Sequence, residues 1–169
     1  YGDHRDLHLS IRRQRQMCIR DSFLAMQGLE TLALRMDRHV ENAQKVAEYL
    51  SAHEQLSWVN YAGLKDSPYY DVAQRMVDGK PSAILSFGIK GGAEAGAKFI
   101  DGLQMIKRLV NIGDAKSLAC HPASTTHRQL NDDELATAGV SGDLVRISVG
   151  IEHVDDIIAD IEQALAAAK

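Results

Sequence analysis

Arg146 is the side chain whose type and setting first suggest chemistry. It lies in Leu144-Val-Arg-Ile-Ser-Val-Gly-Ile-Glu152. Alternation there puts Val145, Ile147 and Val149 on one face of a strand, and Leu144, Arg146 and Ser148 on the other. A guanidinium in so apolar a strand is costly to bury unless it meets an anion. Its planar fork of donors matches a carboxylate. Spacing alone leaves two other settings equally open: a pair with an internal Asp or Glu, or an edge strand in water.

A second block, Asn111-Ile-Gly-Asp-Ala-Lys-Ser-Leu-Ala-Cys-His-Pro-Ala-Ser-Thr-Thr-His127, sets small, hydroxyl and imidazole side chains between short apolar runs. That composition suits a strand and loop lining a polar pocket. His121 and His127 with Cys120 do not make a zinc site, which needs further ligands at suitable spacing. Ser124 lacks the Gly-x-Ser-x-Gly elbow of a hydrolase nucleophile. Both histidines read as hydrogen-bonded loop anchors. Cys120 reads as a small core residue, with only His121 nearby to lower its pKa.

The elements that must position these residues follow from periodicity. From Phe23 onward, Leu29, Leu32, Met36, Val40, Ala43, Ala47 and Leu50 recur at three and four, predicting one long amphipathic helix. Gly28 within it costs about 1 kcal/mol against alanine, so close packing is expected there. Arg35 is expected on a solvated face or in an ion pair. A short strand over residues 57–61 carries the only tryptophan, and a helix over 68–77 ends near Asp78-Gly79. Ala83, Leu85, Phe87 and Ile89 alternate with Ser82, Ile84, Ser86 and Gly88, predicting a strand. Gly91-Gly92 reads as the turn into a helix over 93–103, since no Gly-Lys-Ser/Thr adjoins it to make a phosphate cradle. A strand over 105–110 would deliver Asn111. Asp132-Asp133-Glu134 open a helix that Gly139 stops. Asp155-Asp156 open the last one, with Val154, Ile157, Ile158, Ile161 and Leu165 inward. The order is a long helix, then strands alternating with helices, in one α/β layer arrangement.

With 169 residues, 45% hydrophobic and 25% charged, the chain has the make-up of one ordinary globular domain. The net charge of −4, without a basic cluster in its body, argues against nucleic acid. No apolar run nears the roughly 20 residues that span a bilayer. The start lacks the apolar core of a signal peptide. Cys18 and Cys120 make no disulfide framework, so a reducing, cytoplasmic setting is expected. Residues 1–22 differ from the rest, being arginine-dense without a clean amphipathic period. They resemble a translated sequencing-adapter read and are expected to be a non-native or disordered extension. A basic arm and a genuine N-terminal extension are the other readings. Residues 23–169 form the domain proper.

Asn-Ile-Gly-Asp-Ala-Lys-Ser-Leu, His-Pro-Ala-Ser-Thr-Thr-His and Leu-Val-Arg-Ile-Ser-Val-Gly-Ile-Glu, in that order, resemble the C-terminal domain of the Cys/Met-metabolism enzymes that use pyridoxal 5′-phosphate. The nearest branch is the O-acetylhomoserine sulfhydrylases, and the resemblance runs from about Phe23 to the end. It implies the small domain of a fold-type I enzyme: a mostly antiparallel sheet covered by helices and preceded by a long helix. It further implies that Arg146 holds the substrate α-carboxylate, with Asn111 a second contact. Thr126 would lie near the substrate side chain, and Ser117 is a weaker candidate, equally a strand hydroxyl bonded to backbone. Asn111, where many γ-synthases and γ-lyases of the family have serine, and Lys116, where lyases more often have glutamate, favour the sulfhydrylase branch. The implied reaction removes acetate from O-acetyl-L-homoserine and adds sulfide at Cγ to give homocysteine, with the cofactor as electron sink. The family's cofactor-linking lysine and phosphate cup belong to a large domain expected before Phe23, and none of the eight lysines here sits in that motif. The chain alone is therefore expected to bind cofactor poorly and catalyse nothing. The implied partners are a small amino acid, the large domain and further copies in a tetramer. Rival expectations are a methionine γ-lyase, a cystathionine γ-synthase, or a non-catalytic module holding a carboxylate.

Overall fold

A computed structural model describes residues 3–169, with side chains from Met17 onward except that of Asp132. The chain divides into two compact units, one ending at Arg35 and the other spanning Met36–Lys169. The expected single long helix is two. Helix α1 (Asp3–Glu30) stops at Thr31, and α2 (Leu32–Ser51) begins directly after it. Arg35 donates to the Gly28 carbonyl at 2.5 Å in an exposed setting, and among the described residues no acid pairs with it. Among the described residues, a Cβ built on Gly28 would meet nothing within 4 Å. Phe23, Leu24 and Leu29 are exposed.

The second unit is built on five strands: β1 (Leu56–Asn60), β2 (Ile84–Ile89), β3 (Lys107–Arg108), β4 (Leu118–Cys120) and β5 (Leu144–Ser148). They lie in the order β1-β2-β5-β4-β3, with β5 at the centre. All pairs are antiparallel except β3 with β4, so the sheet is mostly antiparallel, as the family resemblance implied. The helices are α2 from Met36, α3 (Tyr70–Val77), α4 (Gly92–Gly102), α5 (Asp132–Thr137) and α6 (Val154–Ala167). A 3-10 turn, Pro122–Ser124, follows β4.

Period-two alternation decides the two faces of the sheet. Leu85, Phe87, Ala119, Val145 and Ile147 point into one core with Phe99 and Ile100 of α4 and Ile157, Ile161 and Leu165 of α6. Phe87 meets Phe99 edge-on, with centroids 5.7 Å apart. Each such large side chain stabilises the fold by about 1.5–3 kcal/mol on burial. Helix α2 adds Ala43, Val46, Ala47 and Leu50. It also buries two polar groups that the apolar pattern did not include. His39 Nδ1 lies 2.6 Å from the Val149 carbonyl, which makes that nitrogen the protonated one. Asn42 donates to the carbonyls of Gly150 and Glu152, at 3.0 and 2.9 Å. These bonds pin the chain just after β5.

The strand expected over 105–110 shrinks to Lys107–Arg108. The cause is Asp160, whose carboxylate accepts the N–H groups of Gln104, Met105 and Ile106 at 2.9, 3.0 and 2.8 Å. Those donors are thereby withdrawn from any ladder. Helix α3 stops where Asp78 takes a left-handed φ of 52°. Among the described residues, no helix is long and apolar enough to cross a membrane.

Candidate functional site

Arg146 stands on the face of the sheet opposite the helix-covered core. Strand pairing aligns Asn60, Ser86, Arg146 and Cys120 in one row across β1, β2, β5 and β4. Residues paired this way share a face. The row is polar, whereas the neighbouring row of Val59, Phe87 and Val145 points into the core. An open groove of about 330 Å³ runs beside it, lined by Asn60, Tyr61, Tyr69, Ser86, Leu144 and Arg146 among others.

The arginine is half-buried, and its Nη2 donates to the Asn111 backbone carbonyl at 2.9 Å. Among the described residues it forms no ion pair with an acid, so the internal Asp or Glu pairing left open by spacing does not occur. Nor is β5 an edge strand. A guanidinium offers five N–H donors in a plane. One is used here, which leaves a side of the fork able to take a carboxylate in two parallel bonds. Its charge is felt locally. Burial pushes the Cys120 thiol up, and the Arg146 guanidinium pulls back against that. Cys120 is thus a buried neighbour of the arginine, not an activated nucleophile.

Asn111 meets Arg146 through its backbone. Its side-chain oxygen accepts from the Ile112 N–H at 2.9 Å, so the amide nitrogen is the end left for a ligand. Thr126 is exposed and its hydroxyl lies 2.8 Å from His127 Nδ1. It follows the 3-10 turn, which packs on β5. Ser117 is fully buried. Its hydroxyl donates to Glu152 at 2.9 Å and accepts from the Gly150 N–H at 2.8 Å. The structure therefore brings Arg146 and Asn111 into direct contact and ties Ser117 to carboxylate and backbone.

His121 is a loop anchor. Its Nε2 lies 2.8 Å from the Gly142 carbonyl and its Nδ1 2.8 Å from the Ser124 hydroxyl. Since a carbonyl only accepts, Nε2 carries the proton and Nδ1 receives one from Ser124. Gly96 of α4 has to be glycine, because a Cβ there would lie 2.7 Å from the ring. Among the described residues, no group of His, Cys, Asp and Glu could hold a metal ion.

Sequence reasoning missed several residues around the groove. Asp143, three positions before Arg146, accepts from Ser57 and from the Trp58 indole, both at 3.1 Å. Partial burial pushes its carboxyl up, but the hydroxyls of Ser141 and Ser57 and the indole outweigh this and hold it below the usual range. Tyr61 is buried, its hydroxyl has no partner among the described residues, and burial raises its pKa to about 12. The tryptophan was the one visible signal, as a polar-tipped aromatic in a short strand needs a partner. Nothing in the sequence marked Ser86 and Asn60 as neighbours of Arg146.

The sequence pattern of the Cys/Met metabolism PLP-dependent enzymes matches residues 15–166. O-acetyl-L-homoserine sulfhydrylase 1 of Thermus thermophilus is 51% identical over 146 residues, 86% of this chain and 35% of that protein. An L-methionine gamma-lyase of Pseudomonas putida is 46% identical over 87% of this chain and 37% of that protein. A Campylobacter jejuni crystal structure, described as an O-acetylhomoserine (thiol)-lyase, carries N′-pyridoxyl-lysine-5′-monophosphate. It superposes with a TM-score of 0.81 at 41% identity, covering 87% of this chain and 35% of that one. The chain thus spans about a third of the length of the relatives it matches. Among the described residues the groove beside Arg146 is lined by no lysine, so nothing there could form an imine with the aldehyde of pyridoxal phosphate. The Arg146 fork has the donor geometry to pair with a carboxylate.

Proposed function

The chain belongs to the Cys/Met metabolism PLP-dependent enzymes, and from that premise we propose that it is the C-terminal domain of an O-acetylhomoserine sulfhydrylase. In this reading the whole enzyme makes homocysteine from O-acetyl-L-homoserine and sulfide. The cofactor, seated in the remaining two-thirds of the protein, supplies the electron sink. The present chain supplies the grip on the amino acid. Arg146 takes the α-carboxylate through the free side of its fork, and the Asn111 amide closes on the same group. Thr126 lies toward the substrate side chain, while Ser117 acts through the loop it anchors. A carboxylate held at two points fixes the Cα–H bond in orientation, which is a large part of what positioning contributes to rate.

The observation that supports this is the guanidinium on the polar face of the central strand, bound to the Asn111 carbonyl and, among the described residues, to no acid. Identity favours the sulfhydrylase branch by a narrow margin, 51% against 46% for the methionine lyase. The full-length enzyme, working in an assembly of several copies, is expected to form homocysteine from O-acetyl-L-homoserine and sulfide. Release of a thiol from methionine alone, with no homocysteine formed from the acetyl ester, would assign it to the lyases instead.

A further inference from the structure

The loop that carries Asn111 has little of its own to hold it. Residues 109–117 link β3 to β4, and residues 111–116 are largely exposed. The side-chain bonds within the loop are local: Asn111 to the Ile112 N–H, and Asp114 to the Lys116 N–H at 3.0 Å. Gly113 turns it at a φ of 74°. At one end the loop meets Arg146. At the other it meets Glu152, six residues farther along the chain.

Glu152 spends both carboxylate oxygens on this loop. Oε1 accepts the Ser117 N–H at 2.6 Å and Oε2 accepts the Ser117 hydroxyl at 2.9 Å. The same hydroxyl accepts the Gly150 N–H at 2.8 Å, and the Ile151 N–H donates to the Ala115 carbonyl at 3.0 Å. Glu152 is itself fixed, because its carbonyl takes a bond from the buried Asn42 of α2. Gly150 leaves the space: a Cβ there would run into the Glu152 carboxylate, the Ser117 nitrogen and the Ala115 carbonyl. Among the described residues, no cation pairs with Glu152. Its donors are all backbone N–H and hydroxyl groups with fixed directions, so what it contributes is geometry.

We propose that Glu152 is a positioning residue for substrate binding: by clamping Ser117 it holds the 111–117 loop so that Asn111 lies against Arg146. This rests on the reading of Arg146 as the carboxylate grip. One segment, β5 with its continuation to Glu152, then sets both halves of the site. It presents the arginine directly and the asparagine through the clamp.

The test is made in the full-length, cofactor-loaded enzyme with O-acetyl-L-homoserine as probe. Glu152→Ala is expected to raise KM about tenfold while kcat changes less than about threefold, because the reacting groups are untouched and only the binding loop loosens. Glu152→Gln, which still offers an acceptor to the Ser117 N–H, is expected to recover most of the loss. Amide exchange in residues 111–117 is expected to quicken in Glu152→Ala, with that of β5 unchanged. Should Glu152→Ala not fold, Ser117→Ala, which leaves the N–H bond in place, is expected to raise KM about threefold. Arg146→Ala serves as the reference. If it raises KM while the folded Glu152 and Ser117 variants match the wild type, the clamp is refuted and the grip stands. If Arg146→Ala leaves KM unchanged, the grip itself is refuted and the clamp with it.

Discussion

The two faces of the sheet are built from the same strands and do opposite things. On one, Leu85, Phe87, Val145 and Ile147 are buried under α4 and α6 with no polar atom among them. On the other, Asn60, Ser86 and Arg146 line an open groove, and among the described residues the buried Ser148 hydroxyl has no partner. Apolar burial is where the stability comes from. An open face with a cation is a poor source of stability and a good place for a polar ligand. Arg146 and Val145 are adjacent in sequence, so a single step along β5 passes from one role to the other.

Substitutions on the two faces should therefore separate folding from binding. The largest stability effect is expected from Phe87→Ala, which removes the ring that meets Phe99 and leaves a cavity. It should cost about 3–5 kcal/mol in urea unfolding of the chain. A loss below 1 kcal/mol would mean that the helix-covered face is not the stabilising one.

A smaller effect is expected at high pH from Tyr61. Its folded pKa is raised to about 12 from the usual 10, so the neutral hydroxyl is the form the fold prefers. Its contribution is fully present below pH 10 and is lost as pH rises through 12. Stability should fall across that window, and Tyr61→Phe should flatten the fall. Absorbance titration of the folded chain should show a tyrosine component ionising near pH 12 that Tyr61→Phe removes. An unchanged titration in that variant would contradict the burial of the hydroxyl.

How far the sequence foretold this arrangement depends on range. Arg146 and its strand were legible because a period of two is local information, and so were β2 and the inward face of α6. The full strand over 105–110 was not, because the Met105 and Ile106 donors go to Asp160, more than fifty residues away. The break at Thr31 carried no proline to signal it, and Gly28, three residues earlier, was read as part of one helix. The row Asn60, Ser86, Arg146 and Cys120 depends on the strand order β1-β2-β5-β4, which periodicity does not encode. Ser117 was seen as a hydroxyl of interest, yet its partner Glu152 closed the quoted motif without being read as part of the site. The family likeness named Arg146 and Asn111, and only the geometry shows that they meet through a backbone carbonyl.

The central claim is that the free side of the Arg146 fork receives an amino acid's carboxylate. The most direct measurement compares kcat/KM for O-acetyl-L-homoserine and for its α-carboxamide in the full-length enzyme, with and without Arg146→Ala. The wild type should prefer the carboxylate about 100-fold, corresponding to about 2.7 kcal/mol, and the variant should lose that preference. An Arg146→Ala enzyme that still distinguishes carboxylate from carboxamide as the wild type does would show that the acid group is held elsewhere.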